Sequence, residues 1–162
     1  MITPKVVKRF DLTKTTFIIP LRIETDDRMR NIITTLIYLT RNFDTKVIVK
    51  EVDKESVYLR DVKPLLEQAL EPDMLACIHH VFEKSDDFTF HRTKILNDML
   101  WMVDTPVVAN YDSDILLPLE TYINATNMIS KGWVHPDAEG AQPVKVIYPY
   151  GIGDYQFQCH VG

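Results

Sequence analysis

Two carboxylates lie one residue apart directly after an apolar run that begins at Val107. The sequence from 107 to 114 reads VVANYDSD. Carboxylate oxygens in this arrangement suit a small divalent cation such as Mg²⁺ or Mn²⁺, whose remaining ligands can be phosphate oxygens. We therefore predict a strand over 107–111 and a metal site formed by Asp112 and Asp114. The alternative for the same residues is a solvated turn that precedes a helix.

A second polar segment, FHRTKILN at 90–97, lies shortly before this strand. Apolar residues from Ile95 to Val103 recur at helical spacing, which predicts a helix from Lys94 to about Asp104. Arg92 comes just before that helix, where a guanidinium could bind an anion together with the backbone amides of the first turn. The alternative for Arg92 is a surface ion pair with a nearby aspartate such as Asp86 or Asp87, which would contribute little to stability.

The elements that must position these residues begin with a βαβ unit. An apolar run over 15–20 predicts a buried strand, and 46–53 predicts a second strand that ends in acidic residues. Between them, apolar residues from Met29 to Ile37 form an amphipathic stripe. This stripe predicts a helix that is capped by Asp26 or Asp27 and ends near residues 41–42.

The remaining pattern predicts further alternation of helices and strands. A short helix is predicted over 65–70, a third strand over 76–82, a helix between Pro118 and Gly132, and a last strand over 144–148. This order predicts an α/β fold with three α/β/α layers and a mostly parallel sheet. We predict one domain over residues 1–162.

Composition excludes several classes of function. The net charge of −5 argues against broad nucleic-acid binding, which normally needs a basic face. No apolar run approaches the roughly 20 residues that span a bilayer, so no membrane span is predicted. The charged N-terminus lacks an apolar signal region, and the two cysteines lack metal-ligand spacing. A cytoplasmic protein is therefore expected.

Candidate ligand groups occur at three predicted strand ends. In open α/β sheets, ligands bind beyond the carboxyl ends of the strands. Residues 20–22, 51–53 and 112–114 each fall at such an end. If the predicted fold is right, these three groups lie near one edge of the sheet.

Three segments in series resemble the nucleotide-sugar glycosyltransferases of the GT-A fold, in particular family-two-like and galactosyltransferase-like members. They are FIIPLR at 17–22, FHRTKILN at 90–97 and YDSDILLP at 111–118. The resemblance covers residues 15–120 and implies a Rossmann-like GT-A fold. It implies a nucleotide-sugar and metal half over 15–118, followed by the start of an acceptor half over 119–162 that is incomplete at Gly162.

The resemblance also implies roles for individual residues. Asp114 is the implied direct ligand of Mn²⁺ or Mg²⁺, and Asp112 contacts the ribose or reaches the metal through water. Arg92 contacts the diphosphate or ribose, and either Glu51 or Asp53 accepts a hydrogen bond from the base or ribose. Pro20 and Arg22 are implied to line the pocket beneath the base. The implied substrate contacts are Pro20, Arg22, Glu51, Asp53, Arg92, Asp112 and Ser113.

The function that the resemblance implies is metal-dependent transfer of a hexose or N-acetylhexosamine from a nucleoside-diphosphate sugar. A UDP-sugar donor is favoured, and the acceptor is a carbohydrate or glycoconjugate. The alternative is a non-catalytic sugar-nucleotide-binding or scaffold module, and no catalytic base is assigned. A Mg²⁺-dependent nucleotidyltransferase is disfavoured because residues 21–27 contain neither glycine nor lysine. A homodimer is a further expectation.

Overall fold

A computed structural model describes residues 8–134, 140 and 143–148. The chain divides into two compact units, residues 1–117 and 118–162. The first unit contains a parallel sheet and the helices that cover it. Its elements in chain order are β1 (Phe10–Leu21), α1 (Asp26–Asn42), β2 (Phe43–Asp53), α2 (Lys63–Ala69), α3 (Pro72–Leu75), β3 (Ile78–Lys84), α4 (Arg92–Leu100) and β4 (Val107–Asn110).

The sheet has the strand order β3-β2-β1-β4, and all its strand pairs are parallel. The predictions of an α/β class and of a parallel sheet are therefore confirmed. The chain adds β2 and β3 on one side of β1 and then crosses to place β4 on the other side. This reversal makes a topological switch point between the carboxyl ends of β1 and β4, where open α/β sheets bind ligands.

The two faces of the sheet have different helical cover. Ile18, Ile48 and Val52 form one buried cluster with Ile95 and Met99 of α4. Strand residues alternate between faces, so the intervening residues of β2 point away from α4. Right-handed crossovers place α1 and α2 on that opposite face, which gives the three-layer arrangement.

Pro20 marks the point where β1 and β4 stop pairing. The β1–β4 register ends at Ile18↔Asn110, and the Tyr111 amide donates to the Ile18 carbonyl at 3.1 Å. Backbone groups two residues apart on a strand point to the same side, so the nitrogen of Pro20 also faces β4. It carries no hydrogen and cannot donate to a continued ladder. In a continued register Pro20 would stand opposite Asp112, and the Tyr111 carbonyl would lack the hydrogen bond that an amide at position 20 would donate.

Some predicted boundaries and one predicted strand require correction. β1 begins at Phe10, five residues earlier than predicted, and the predicted helix at 94–104 runs instead over Arg92–Leu100. The side chain of Thr25 caps α1, while Asp26 and Asp27 lie in its first turn. The prediction of a strand over 144–148 is wrong, because described residues 143–148 have no strand pairing. Residues 149–162 lie outside the described part of the chain.

The second unit contains the helix α5 (Leu119–Ser130), close to its predicted bounds. Gly132 has a φ of +63° just past the helix end, as predicted for a C′ glycine. The Trp133 amide donates to the Met128 carbonyl at 2.9 Å, and the Gly132 amide donates to Ile129 at 3.2 Å. These two bonds form the Schellman motif, which satisfies carbonyls at the helix end.

Among the residues that the structure describes, no helix combines the length and apolar character needed to cross a membrane.

Candidate functional site at the sheet switch point

Arg92 and Asp112 meet at the switch point, although they are far apart along the chain. One guanidinium nitrogen of Arg92 lies 2.5 Å from a carboxylate oxygen of Asp112 and 3.5 Å from the amide oxygen of Asn110. The side chains of Arg92 and Asp112 are 45% and 48% exposed. The structure thus brings together two of the predicted site residues as an accessible ion pair. Arg92 therefore does form a surface ion pair, as the alternative held, but its partner is Asp112 and not Asp86 or Asp87.

The packing of α4 against the sheet fixes the backbone position of Arg92, the first residue of that helix. Ile95 and Met99 anchor the helix in the sheet, and Lys50 of β2 reaches Asp98 of α4 at 3.0 Å. Lys50 is buried and also contacts Glu83 of β3 at 2.8 Å. Burial opposes its charge, yet the two carboxylates outweigh that effect and raise the pKa of Lys50 above its ordinary value. A charged lysine therefore ties α4 to two strands.

The loop after β4 is held by side-chain hydroxyls. Tyr111 is buried with its ring edge-on to Phe17, and its hydroxyl donates to the Ile115 carbonyl at 2.5 Å. Thr35 of α1 donates to the Ser113 carbonyl at 2.8 Å, and Tyr38 donates to the Leu117 carbonyl at 2.6 Å. The loop over 112–117 consequently runs alongside α1. Asp114 is exposed on it.

The donor set at this loop fits a cation shared with a ligand. In the described part of the chain, no group of three or more histidine, cysteine, aspartate or glutamate side chains could hold a metal ion. Mg²⁺ is commonly bound by one or two carboxylates, with substrate phosphates and waters supplying the other oxygens. Asp112 and Asp114 can supply such a pair. Ser113 contributes its carbonyl to Thr35 and is half-buried.

A cavity of about 340 Å³ opens at the carboxyl ends of β1 and β2. Predicted site residues Arg22 and Asp53 line it, together with Asp87 and Phe88 from the loop after β3. Pro20 lies in β1 and is not among the lining residues, so its predicted contact with a ligand at this cavity is not supported. The cavity and the Arg92–Asp112 pair flank the end of β1 on its two sides.

Arg22 supports the wall of this cavity with its backbone contacts. Its guanidinium donates to the carbonyls of Val52 at 2.9 Å, Phe88 at 2.9 Å and Asp87 at 3.1 Å. It also lies 5.4 Å from the centre of the Phe90 ring. Arg22 is buried, so these bonds join the ends of β1 and β2 to the loop over 85–91. The sequence identified the residue but missed this supporting role.

The predicted role of Glu51 as a ligand contact is corrected by its burial. Glu51 is 0% exposed. Its carboxylate accepts hydrogen bonds from the Ser56 hydroxyl at 2.5 Å and the Tyr58 amide at 3.0 Å, and it lies 3.1 Å from Nε2 of His80. Of the two acidic residues proposed for the base or ribose, Asp53 alone reaches the cavity, where its carboxylate also accepts from the Lys54 amide at 2.7 Å.

The buried cluster around Glu51 shifts the pKa values of Glu51 itself and of Tyr58. Burial disfavours its charge, but hydrogen bonds from His80, Ser56 and the Tyr58 amide outweigh burial and hold the pKa of Glu51 below its ordinary value. The Tyr58 ring stacks on the His80 ring with centroids 4.0 Å apart. Burial, followed by the negative charge of Glu51, raises the pKa of Tyr58 to about 12.

Alkaline pH is therefore expected to destabilise the protein through Tyr58. A raised folded pKa contributes stability that is fully present below the unfolded value near 10 and is lost as pH rises to about 12. The difference of two units corresponds to about 3 kcal/mol of unfolding free energy. Urea unfolding at pH 9 and pH 12 should show this loss in the wild type and a smaller loss in Tyr58→Phe. A Tyr148→Phe variant, changed at an exposed tyrosine, is the control; equal losses in all three proteins would contradict the assignment.

The fold and the site together define an α/β domain with a Rossmann-like parallel sheet and a polar cluster at its switch point. No protein-family model, curated protein or solved structure matches the chain.

Sequence reasoning missed the residues that support the site from α1. Thr35 and Tyr38 are three positions apart, so they lie on one face of the helix. A polar pair inside an otherwise apolar stripe was the available signal, because a buried hydroxyl needs a partner. Asn110 was also missed, although it directly precedes the Asp112 loop and contacts Arg92.

Proposed function

We propose that this domain binds a nucleoside-diphosphate sugar, with a UDP-sugar favoured, together with Mn²⁺ or Mg²⁺, and acts as a glycosyltransferase of the GT-A type. The observation that carries this proposal is the contact between Arg92 and Asp112 at the switch point. It places a cationic group and an anionic group at one accessible position. A metal–diphosphate ligand requires both kinds of group.

The exposure of the Arg92–Asp112 pair favours exchange with such a ligand. An ion pair this exposed contributes about 0–1 kcal/mol, so separating it costs little. The cation would be held by Asp112 and Asp114, and the guanidinium of Arg92 would turn to the diphosphate oxygens. When bound, the cation would neutralise charge on the departing nucleoside diphosphate as a Lewis acid.

The cavity beside β1 supports a place for the nucleoside. It is bounded by Asp53, whose carboxylate can accept a hydrogen bond from a ribose hydroxyl or a base N–H. Arg22 holds the backbone of its wall at Asp87 and Phe88, so the cavity does not depend on a ligand for its shape. A nucleoside there and a diphosphate at Arg92 would span the carboxyl end of β1.

One observation favours the alternative of a binding module without transfer. The groups assigned in the described part of the first unit all serve the donor, and none is positioned as a base for an acceptor. Both candidates share the donor site and differ in turnover. Release of UDP from a UDP-sugar in the presence of Mn²⁺ and a panel of sugar acceptors would separate them.

Removing the exposed carboxylate of Asp114 is expected to weaken donor binding strongly. Calorimetric titration of UDP and then GDP, with Mn²⁺ and with EDTA, should give metal-dependent binding to the wild type. Asp114→Ala should weaken it by at least about 100-fold, because even outer-shell partners of metal ligands change affinity by 10–100-fold. Asp44→Ala is the matched control, since Asp44 is an exposed aspartate at the opposite end of β2. The proposal fails if neither nucleotide binds with metal present, or if Asp114→Ala binds as tightly as the control.

A further inference from the structure

Three hydroxyl groups hold three alternate carbonyls of the loop that carries Asp112 and Asp114. Thr35 donates to Ser113, Tyr111 donates to Ile115, and Tyr38 donates to Leu117. Two of these donors come from α1, and one comes from the end of β4. The spacing of two residues between the bonded carbonyls fixes the backbone direction over 113–117.

The pattern constrains the backbone and leaves the acidic side chains accessible. Thr35 is 1% exposed, whereas Asp112 is half-exposed and Asp114 is exposed. The loop is therefore ordered by contacts on its inner side, which a ligand at the outer side does not need to supply. Ordering a loop costs conformational entropy. If the loop is ordered before binding, this cost does not reduce the free energy of ligand binding.

We propose that Thr35 and Tyr38 are positioning residues that preset the Asp112–Asp114 loop for a metal-bound diphosphate. This inference rests on the proposed function for the identity of the ligand, while the presetting of the loop is a property of the protein itself. The two residues act through the carbonyls of Ser113 and Leu117 and have no assigned contact with the ligand. Their effect on affinity should consequently exceed their effect on global stability.

Removal of the Thr35 hydroxyl tests this proposal with a close control inside the same helix. Thr40 is also fully buried in α1, but its hydroxyl donates to the Leu36 carbonyl of the helix itself at 2.8 Å. Thr35→Val and Thr40→Val therefore remove the same atom type from equally buried sites. We expect Thr35→Val to weaken calorimetric Mn²⁺–UDP binding roughly tenfold, as for one lost hydrogen bond, with Thr40→Val unchanged and Thr35→Ser restored.

Hydrogen exchange of the ligand-free protein separates failure of this inference from failure of the proposed function. Amides over 112–117 should exchange faster in Thr35→Val and in Tyr38→Phe than in the wild type or Thr40→Val. If the wild type binds no nucleotide with Mn²⁺, the proposed function falls, and faster exchange still supports presetting of the loop. Unchanged exchange in both variants overturns the inference, as does unchanged Mn²⁺–UDP affinity in a wild type that binds.

Discussion

Replacing Glu51 with alanine is expected to lower the free energy of unfolding by about 3–5 kcal/mol, because hydrogen bonds to a charged group contribute about 1.5–3 kcal/mol each and the buried carboxylate accepts several of them. The substitution leaves the Ser56 hydroxyl, the Tyr58 amide and Nε2 of His80 without their acceptor. It also opens a space in the core, because Glu51 is among the largest fully buried side chains. Urea denaturation at neutral pH measures the change.

The control for Glu51→Ala is Glu55→Ala, four residues away. Glu55 is exposed and pairs with Arg60 at the surface at 3.0 Å, so its loss should cost no more than about 1 kcal/mol. Acid pH should also lower the stability of the protein through protonation of Glu51. A lowered folded pKa contributes stability that is present above the ordinary value of 4.5 and is lost as pH falls through the folded value. Equal stability of Glu51→Ala and Glu55→Ala would show that the buried network contributes nothing.

Replacing Arg22 with methionine is expected to lower the free energy of unfolding by about 2–4 kcal/mol and to loosen the loop over 85–91. Bonds from a charged donor contribute about 1.5–3 kcal/mol each, and the loop carbonyls regain water after the change. The long apolar stem of methionine preserves part of the packing. Urea denaturation gives the stability change, and hydrogen exchange over 85–91 gives the local effect.

Two further variants make the Arg22 result specific. Arg28→Met changes an arginine that is exposed and lies 3.8 Å from Glu24, so it should alter stability by less than about 1 kcal/mol. Arg22→Lys should remain destabilised, because an ammonium group cannot reproduce the planar fork that reaches Val52, Asp87 and Phe88. Full stability in Arg22→Lys would mean that charge alone, without the three directed bonds, supports the cavity wall.

The sequence was sufficient for the parts of the fold that follow from local periodicity. The first βαβ unit was predicted from the apolar runs of β1 and β2 and the apolar stripe of α1. A strand buried on both faces gives a continuous apolar run, whereas a helix buried on one side gives apolar residues at helical spacing. Parallel pairing followed from the alternation of strands and helices. The strand predicted over 144–148 failed because alternating apolar residues indicate a strand only where a pairing partner exists.

The candidate site was predictable in part, and the limit lies in pairing between distant residues. Strand-end reasoning brought Arg22, Asp53 and Asp112 to one edge of the sheet, whereas Arg92 was assigned to the site from its place at a helix start and from the resemblance. Strand-end reasoning did not distinguish Glu51 from Asp53, because both follow the same apolar run. Glu51 is buried and Asp53 is not because the Glu51 carboxylate is hydrogen-bonded to Ser56 and His80 in the interior. A single sequence carries no signal for which carboxylate a partner 29 residues away will select.

Pro20 gives the end of the β1–β4 ladder a cause in covalent structure. Any other residue there would carry a backbone hydrogen facing β4, which the Tyr111 carbonyl could accept as the next bond of the ladder. The pairing of β1 with β4 could then extend past Asn110 and include the first residues of the acidic loop. Because Pro20 has no backbone N–H, it cannot donate the hydrogen bond that this extension requires. The β1–β4 ladder therefore ends where the acidic loop departs from β4, and this end is set by the backbone itself.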